Sequence, residues 1–333
     1  MTMLQELRAR AASRPAHIVL SEGHDPRIVA GAIEATRAGI ARITLVGPQH
    51  DVETLLSAAG ATDNDEISIQ DPATSDLTDE VAQTYFDLRK HKGVREDYAA
   101  EQARAPLVFA AMMVRNGHAD GTVGGAVATT SDTVRAALQV IGKANTAPLV
   151  SSFFLMALPQ NHPSGRQAMV FGDCGLVIDP NPQELAAIAV ASAGSFHQLL
   201  GETPKVALLS FSTKGSAKHS TVTKVTDALA ILQENHSDLD ADGELQFDAA
   251  FVPEVGASKA PDSNVAGFAN VMIFPNLDAG NIGYKIAQRI GGCQAIGPVL
   301  QGLAKPANDL SRGCNAEDVT NMIAVTVLQA ADG

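Results

Sequence analysis

Tryptophan is absent from the chain, tyrosine occurs three times and phenylalanine eleven times in 333 residues. An aromatic-rich binding module is therefore disfavoured, while the abundant Ala, Val, Ile and Leu suit helices packed on aliphatic strands. Cations are also in short supply. Lys and Arg number 24 against 37 Asp and Glu, a net charge of −13. No basic stripe is left to release counterions from DNA or to lie on an anionic membrane, although local cationic pockets stay possible. The three cysteines, Cys174, Cys293 and Cys314, are far apart, odd in number and outside any C-x-x-C arrangement. Neither a disulfide framework nor a zinc site follows from them, and they fit a reducing cytosol. Long hydrophobic runs are missing as well. The longest, around LVSSFFLMALP, falls short of a membrane span, and MTMLQELRARAASRPAH holds no apolar core of signal-peptide length. The expectation is a soluble cytoplasmic protein, without internal repeats or low-complexity tracts.

What is present is alternation. HIVLSEG, DPRIVAGAIEATRAG and ARITLVG read as strand, helix, strand. Asp25 is placed as N-cap, Pro26 as first helical residue and Gly39 as the stop. The same pattern recurs through ADGTVGGA, SDTVRAALQVI, LVSSFFLMAL, a hairpin-like QAMVFGDCGLVI, a long helix from Pro182 to Leu200, and on to a closing helix, AEDVTNMIAVTVLQA. Strands alternating with helices predict an α/β fold with a largely parallel sheet and ligand sites at the carboxyl ends of its strands. The stretch GKANTAP, Gly142 to Pro148, reads as a linker and a domain boundary.

Two glycine-rich strings, GTVGGAVATTSD and STKGSAKHS, each follow a strand and precede a helix. Converging N–H groups there favour an anion, but neither string has the spacing of a dinucleotide fingerprint or a Walker loop, and ordinary capped turns are the better explanation from local sequence alone. Arg89, Lys90 and Lys92 close a helical segment, where the helix dipole accounts for them. Arg135 opposes the dipole in the first turns of its helix, so a partner anion is the better explanation. In NDLSRGCNAEDV, Asn315 reads as the N-cap of the last helix with Glu317 and Asp318 in its first turn, which leaves Arg312, beside Ser311, without a structural reason. A guanidinium next to a hydroxyl and a carboxylate is an arrangement suited to a transferring phosphate or acyl group. The nine histidines show no metal-ligand spacing, and only His24, at the end of the first strand, has a position of interest. No metal is implied.

Taken in order, SEGHDPR, LRKHKG, GTVGGAVATTSDTVR, VFGDCGLVIDPNP, LSFSTKGSA, ELQFDAAFVPEVGASKAP, VMIFPNLDAGNIGYKIAQR and IGPVLQGLAKPANDLSRGC resemble the phosphate acetyltransferases over nearly the whole chain. The resemblance implies reversible transfer of an acetyl group between coenzyme A and phosphate, with no metal or nicotinamide and no tightly bound cofactor. It implies two α/β domains flanking a cleft, of isocitrate/isopropylmalate dehydrogenase-like architecture, and a homodimer. One domain would comprise residues 1–145 plus 301–333, the other residues 146–300. Carried over position by position, Arg89, Arg135 and Arg312 match the family's functional arginines, and Ser311 and Asp318 its active-site serine and aspartate.

The expected chemistry is direct attack in a ternary complex, with Asp318 taking the thiol proton, Arg312 and Ser311 meeting developing charge, and Arg89 and Arg135 gripping phosphate oxygens. Lys285 and Lys305 are candidates for the outer phosphates of CoA. The stretch SSFFLMALP, where some members carry a cysteine, has none, which weighs against a cysteine-acyl intermediate. A phosphate butyryltransferase or other acyl-CoA:phosphate transferase, a non-catalytic acetyl-CoA-sensing domain and a metal-dependent dehydrogenase are the alternatives. The last would need a cofactor loop and an aspartate cluster that the sequence does not show.

Overall fold

The structure is a computed structural model that describes residues 2–331. The chain divides into two compact units, one formed by Leu4–Asn145 with the chain from Leu303 onward, the other by Thr146–Gly302 together with the amino-terminal residues through Met3. From the amino end come α1 (Met3–Ala12), β1 (His17–Leu20), α2 (Pro26–Arg37), β2 (Arg42–Val46), α3 (Gln49–Ala58) and β3 (Ile67–Gln70). There follow α4 (Thr78–Arg89), α5 (Glu96–Gln102), α6 (Pro106–Asn116), β4 (Gly121–Gly124) and α7 (Thr130–Val140). The other unit holds β5 (Ser151–Ala157), β6 (Ala168–Gly172), α8 (Pro182–Leu200), β7 (Val206–Leu209), α9 (Ser220–Asn235) and β8 (Ala241–Leu245). It continues with α10 (Phe247–Phe251), α11 (Pro253–Lys259), β9 (Val271–Ile273), α12 (Leu277–Arg289) and β10 (Gln294–Gln301). The chain then returns to the first unit as β11 (Ala307–Asp309) and α13 (Ala316–Ala330).

The first sheet has the order β11-β4-β1-β2-β3 and every pairing in it is parallel. Strands β1 and β4 are short, almost wholly buried runs, as strands covered on both faces must be. Helix α2, which follows β1, starts at the carboxyl edge of this sheet, and the signals read for it hold there: Asp25 accepts from the Arg27 N–H and Pro26 opens the helix. Helix α13 crosses α2 closely because Gly31 has no side chain; a Cβ there would stand 2.6 Å from Cβ of Val319. The exposed end of this crossing is tied by Arg8, which donates to Glu34, Asn321 and Glu317.

The second sheet, β10-β5-β6-β9-β7-β8, departs from the parallel expectation: β5 runs antiparallel to both β6 and β10, while β6, β9, β7 and β8 are mutually parallel. Nor is QAMVFGDCGLVI a hairpin. After β6 the buried Asp173 carboxylate gathers the N–H groups of Ser152 (2.8 Å), Gly175 (2.8 Å), Leu176 (3.0 Å) and Val177 (3.2 Å) and the Ser152 hydroxyl. That nest curls the chain away from the sheet where periodicity alone continues the strand.

Candidate active site

The site grows from the carboxyl edge of the five-stranded sheet. Strand β11 lies parallel beside β4, so the turn that follows it, Leu310 to Asn315, emerges at the same edge as the loop that follows β4. The Leu310 N–H donates to the Gly124 carbonyl at 2.7 Å and fixes where the turn begins. Ser311, Arg312 and Gly313 are exposed, with the Gly313 N–H donating to Ser311 Oγ at 3.2 Å. Asn315 is the N-cap of α13 as expected. It forms a capping box with Asp318: the Asp318 N–H donates to Asn315 Oδ1 and the Asn315 N–H to Asp318 Oδ2, each at 3.0 Å. Asp318 thus keeps Oδ1 outside the box. Among the described residues the Arg312 guanidinium makes no hydrogen bond or ion pair, so its charge is uncommitted.

Arg89 reaches the same edge by a different route. At the start of α4, Glu80 accepts from Asn116 Nδ2 (2.7 Å) at the end of α6 and pairs with His118 Nε2 (3.0 Å) just beyond it. Helix α6 leads into the amino end of β4, so α4 begins at the amino edge and climbs to the carboxyl edge, where Arg89 ends it. Tyr85, one turn earlier, meets Gln139 of α7 (3.4 Å), and Arg135 lies one turn toward the start of α7. Arg89 is half-buried and its Nε is shut off from solvent without a partner. A buried unpaired guanidinium nitrogen is costly and points to an anionic ligand. Arg135 has a more ordinary setting than the sequence implies: its Nη1 pairs with Asp132 one turn back (2.7 Å), and both are largely exposed.

Both glycine-rich turns do bind anions, but the anions are the protein's own. After β4, the N–H groups of Ala126 (2.7 Å), Val127 (3.1 Å) and Ala128 (2.7 Å) all donate to the buried carboxylate of Glu22. After β7, Gly215 N–H (2.8 Å) and the Ser212 hydroxyl (2.7 Å) donate to buried Glu244. These glutamates, in SEGH and DGEL, were the missed partners; a carboxylate among small residues at a strand end was the available signal. The two candidate lysines fall apart. Lys285 is on α12 in the other unit, bonded to Asn281 (2.7 Å), whereas Lys305 precedes β11 and so lies on the far side of that strand from Ser311. His24 is exposed and makes no hydrogen bond among the described residues.

One further acid stands behind the turn. Asp309, the last residue of β11, is fully buried and neither carboxylate oxygen has a hydrogen-bond partner of good geometry. Its carboxyl abuts Gly125, whose φ of +97° and lack of a side chain make the close approach possible. Burial, and after it the nearby Glu22 charge, push Asp309 up to about 7 against the opposing hydroxyls of Thr130 and Thr133. The folded state then holds a proton that the unfolded chain releases near pH 4. This contribution to stability is full below about pH 4 and is lost as pH rises through 7, by up to about 4 kcal/mol. Asp309→Asn should accordingly gain on the wild type between pH 5 and pH 8 in urea unfolding. An unchanged difference across that range would show that Asp309 does not titrate there.

The thiols are not activated: burial raises Cys174 well above its ordinary range and raises Cys293 and Cys314 as well.

An α/β protein that gathers uncommitted arginines, a hydroxyl and a carboxylate at the carboxyl edge of a parallel sheet belongs to the class that holds anionic substrates at strand ends. The chain belongs to the phosphate acetyl/butaryl transferase family, whose model matches residues 2–327. It is 48% identical to a phosphate acetyltransferase of Paracoccus denitrificans over 99% of both chains. A phosphotransacetylase structure from Streptococcus pyogenes superposes with a TM-score of 0.92 at 43% identity, covering 99% of this chain and 98% of that one. The fold alone is shared with 4-hydroxythreonine-4-phosphate dehydrogenase of Klebsiella pneumoniae, with a TM-score of 0.56 at 10% identity over 95% and 98% of the two chains. The two-unit α/β architecture is thus in place, and a dehydrogenase shares its fold. No helix among the described residues is long and apolar enough to cross a membrane.

Proposed function

We propose that the chain is a phosphate acetyltransferase, interconverting acetyl-CoA plus phosphate with acetyl phosphate plus CoA at the carboxyl edge of the β11-β4-β1-β2-β3 sheet. The observation that carries this reading is the uncommitted Arg312 between Ser311 and the Asp318 capping box, in a chain of this family. Asp318 Oδ1 accepts the CoA thiol proton, the thiolate attacks the acetyl carbonyl, and the bond from the acetyl carbon to the phosphate oxygen breaks. The phosphate leaves with the electron pair. Arg312 and Ser311 Oγ hydrogen-bond the oxygen that gains charge, and Arg89 and Arg135 grip the phosphate oxygens. CoA is a substrate here, with Lys285 and Lys305 as candidate contacts for its outer phosphates. The two units serve as the two domains, close to residues 1–145 plus 301–333 and residues 146–300. Thioester formation from acetyl, propionyl and butyryl phosphate, compared at equal concentration, tests the acyl assignment: acetyl phosphate should be used best, and a preference for butyryl phosphate would contradict it.

Arg89→Ala and Arg135→Ala should mainly raise KM for acetyl phosphate and phosphate, by about tenfold or more, with less effect on CoA. Lysine at either position should restore only part, because it lacks the planar fork. Arg89, which is half-buried and unpaired, should show the larger loss. Steady-state constants for both substrates decide the matter, and a selective loss of CoA affinity would move these arginines to the CoA side of the reaction.

A homodimer is supported by Ile282 and Ile286 on helix α12 and Ile290 at its C-cap, which repeat every four residues and are 58%, 53% and 84% exposed. Such an apolar stripe is suited to a second copy of the chain.

A further inference from the structure

Arg27 occupies a position that helix stability does not explain. It is the second residue of α2, where the dipole disfavours a cation, yet all five of its N–H donors are used. Nε donates to Asp25 Oδ1 (3.0 Å) and Nη2 to Asp25 Oδ2 (2.8 Å), a bidentate pair in which the aspartate is nearly buried. Nη2 also donates to the Ala126 carbonyl (2.7 Å), in the loop whose N–H groups Glu22 holds from the other side. Nη1 donates to the carbonyls of Arg312 (2.7 Å) and Cys314 (3.2 Å). A single guanidinium thus joins the start of α2, the loop after β4 and the Ser311–Cys314 turn. That turn otherwise has few ties: Ser311, Arg312 and Gly313 are exposed, and the bond from Cys314 N–H to Ser311 O is internal to it.

We propose that Arg27, locked by Asp25, is a positioning residue for acyl transfer: by holding the carbonyls of Arg312 and Cys314 it fixes the main chain from which Ser311 and Arg312 project. The assignment rests on the function proposed above. Arg27 acts through the turn, because its donors are already spent on the protein. A lysine has three donors in place of five and no planar fork, so it keeps the charge but not the simultaneous hold on Asp25, Ala126 and the turn. Misplacement of a reacting group by about 1 Å costs roughly 10²-fold in rate.

The test is a double-mutant cycle on kcat with Arg27→Lys, Arg312→Ala and both together. The wild type should form acetyl-CoA from acetyl phosphate, and Arg27→Lys should lower kcat by about 10- to 100-fold with KM for CoA within about threefold. In the Arg312→Ala background the same change should cost less than about threefold, because the residue it mainly aims is already gone. A loss that came only from general destabilisation would multiply in full. Should Arg27→Lys not fold, Asp25→Asn takes its place in the cycle, leaving Arg27 present but unlocked, with the same expected non-additivity. Turnover within twofold of wild type, or fully multiplicative losses, overturns the positioning role while leaving the proposed function standing. A folded wild type with no acetyl transfer overturns both.

Discussion

Asp318→Asn should lower kcat for acetyl-CoA formation by about 10² to 10⁴ and leave both Michaelis constants within a few-fold. Asparagine keeps the shape and one carbonyl oxygen, so it still accepts from the Asn315 N–H, and the main-chain N–H at 318 still donates to Asn315 Oδ1, which leaves the capping box in place. It has no site for a thiol proton. Ordinary carboxylic acids titrate near 4 and thiols near 8.5, so proton transfer between them needs help from the surroundings. On the proposed mechanism the uncommitted Arg312 in the turn would supply some of it by stabilising a thiolate. The loss should therefore shrink at high pH, where CoA brings its own thiolate. Stability offers a control: even losing one of the two capping bonds would cost about 1 kcal/mol, too little to unfold the chain. A variant that keeps its turnover and loses CoA affinity would make Asp318 an orienting group, and the base would have to be found elsewhere.

Arg312→Ala should lower turnover by about 10² or more without lowering the melting temperature. The side chain is exposed and has no partner among the described residues, so its removal breaks no contact seen there, whereas its carbonyl still accepts from Arg27. What is lost is a charge-assisted contact made as charge develops on the acetyl or phosphoryl oxygen, worth about 3 kcal/mol or more in a site of this kind. Near-wild-type turnover in the folded variant would remove Arg312 from the chemistry.

Much of this was legible in the sequence, for identifiable physical reasons. Asp25, Pro26, Gly39, Pro182 and Asn315 mark their elements because helix start and stop signals are local, acting within a few residues of the element they bound. The Arg312 anomaly was visible because the acids after it had a reason to be there and it did not. The contents of the glycine turns were not legible, since Glu22 reaches Ala126–Ala128 across more than a hundred residues, and the path runs through strand pairing rather than sequence spacing. Arg27 was hidden for the same reason, being 285 residues from the carbonyl it holds. The antiparallel β5 with its neighbours β6 and β10 was missed because a fully buried strand reads as the same apolar run in either direction.

Direct transfer in a ternary complex, the centre of this account, is most directly tested by incubating the protein with acetyl phosphate and isotopically labelled phosphate, with and without CoA, and following label into acetyl phosphate. Rapid exchange with CoA and none without it is the predicted result, since the bond to phosphate breaks only when a thiolate attacks. Exchange in the absence of CoA would reveal an acyl-enzyme and contradict direct attack, and no exchange under either condition would contradict acetyl transfer itself.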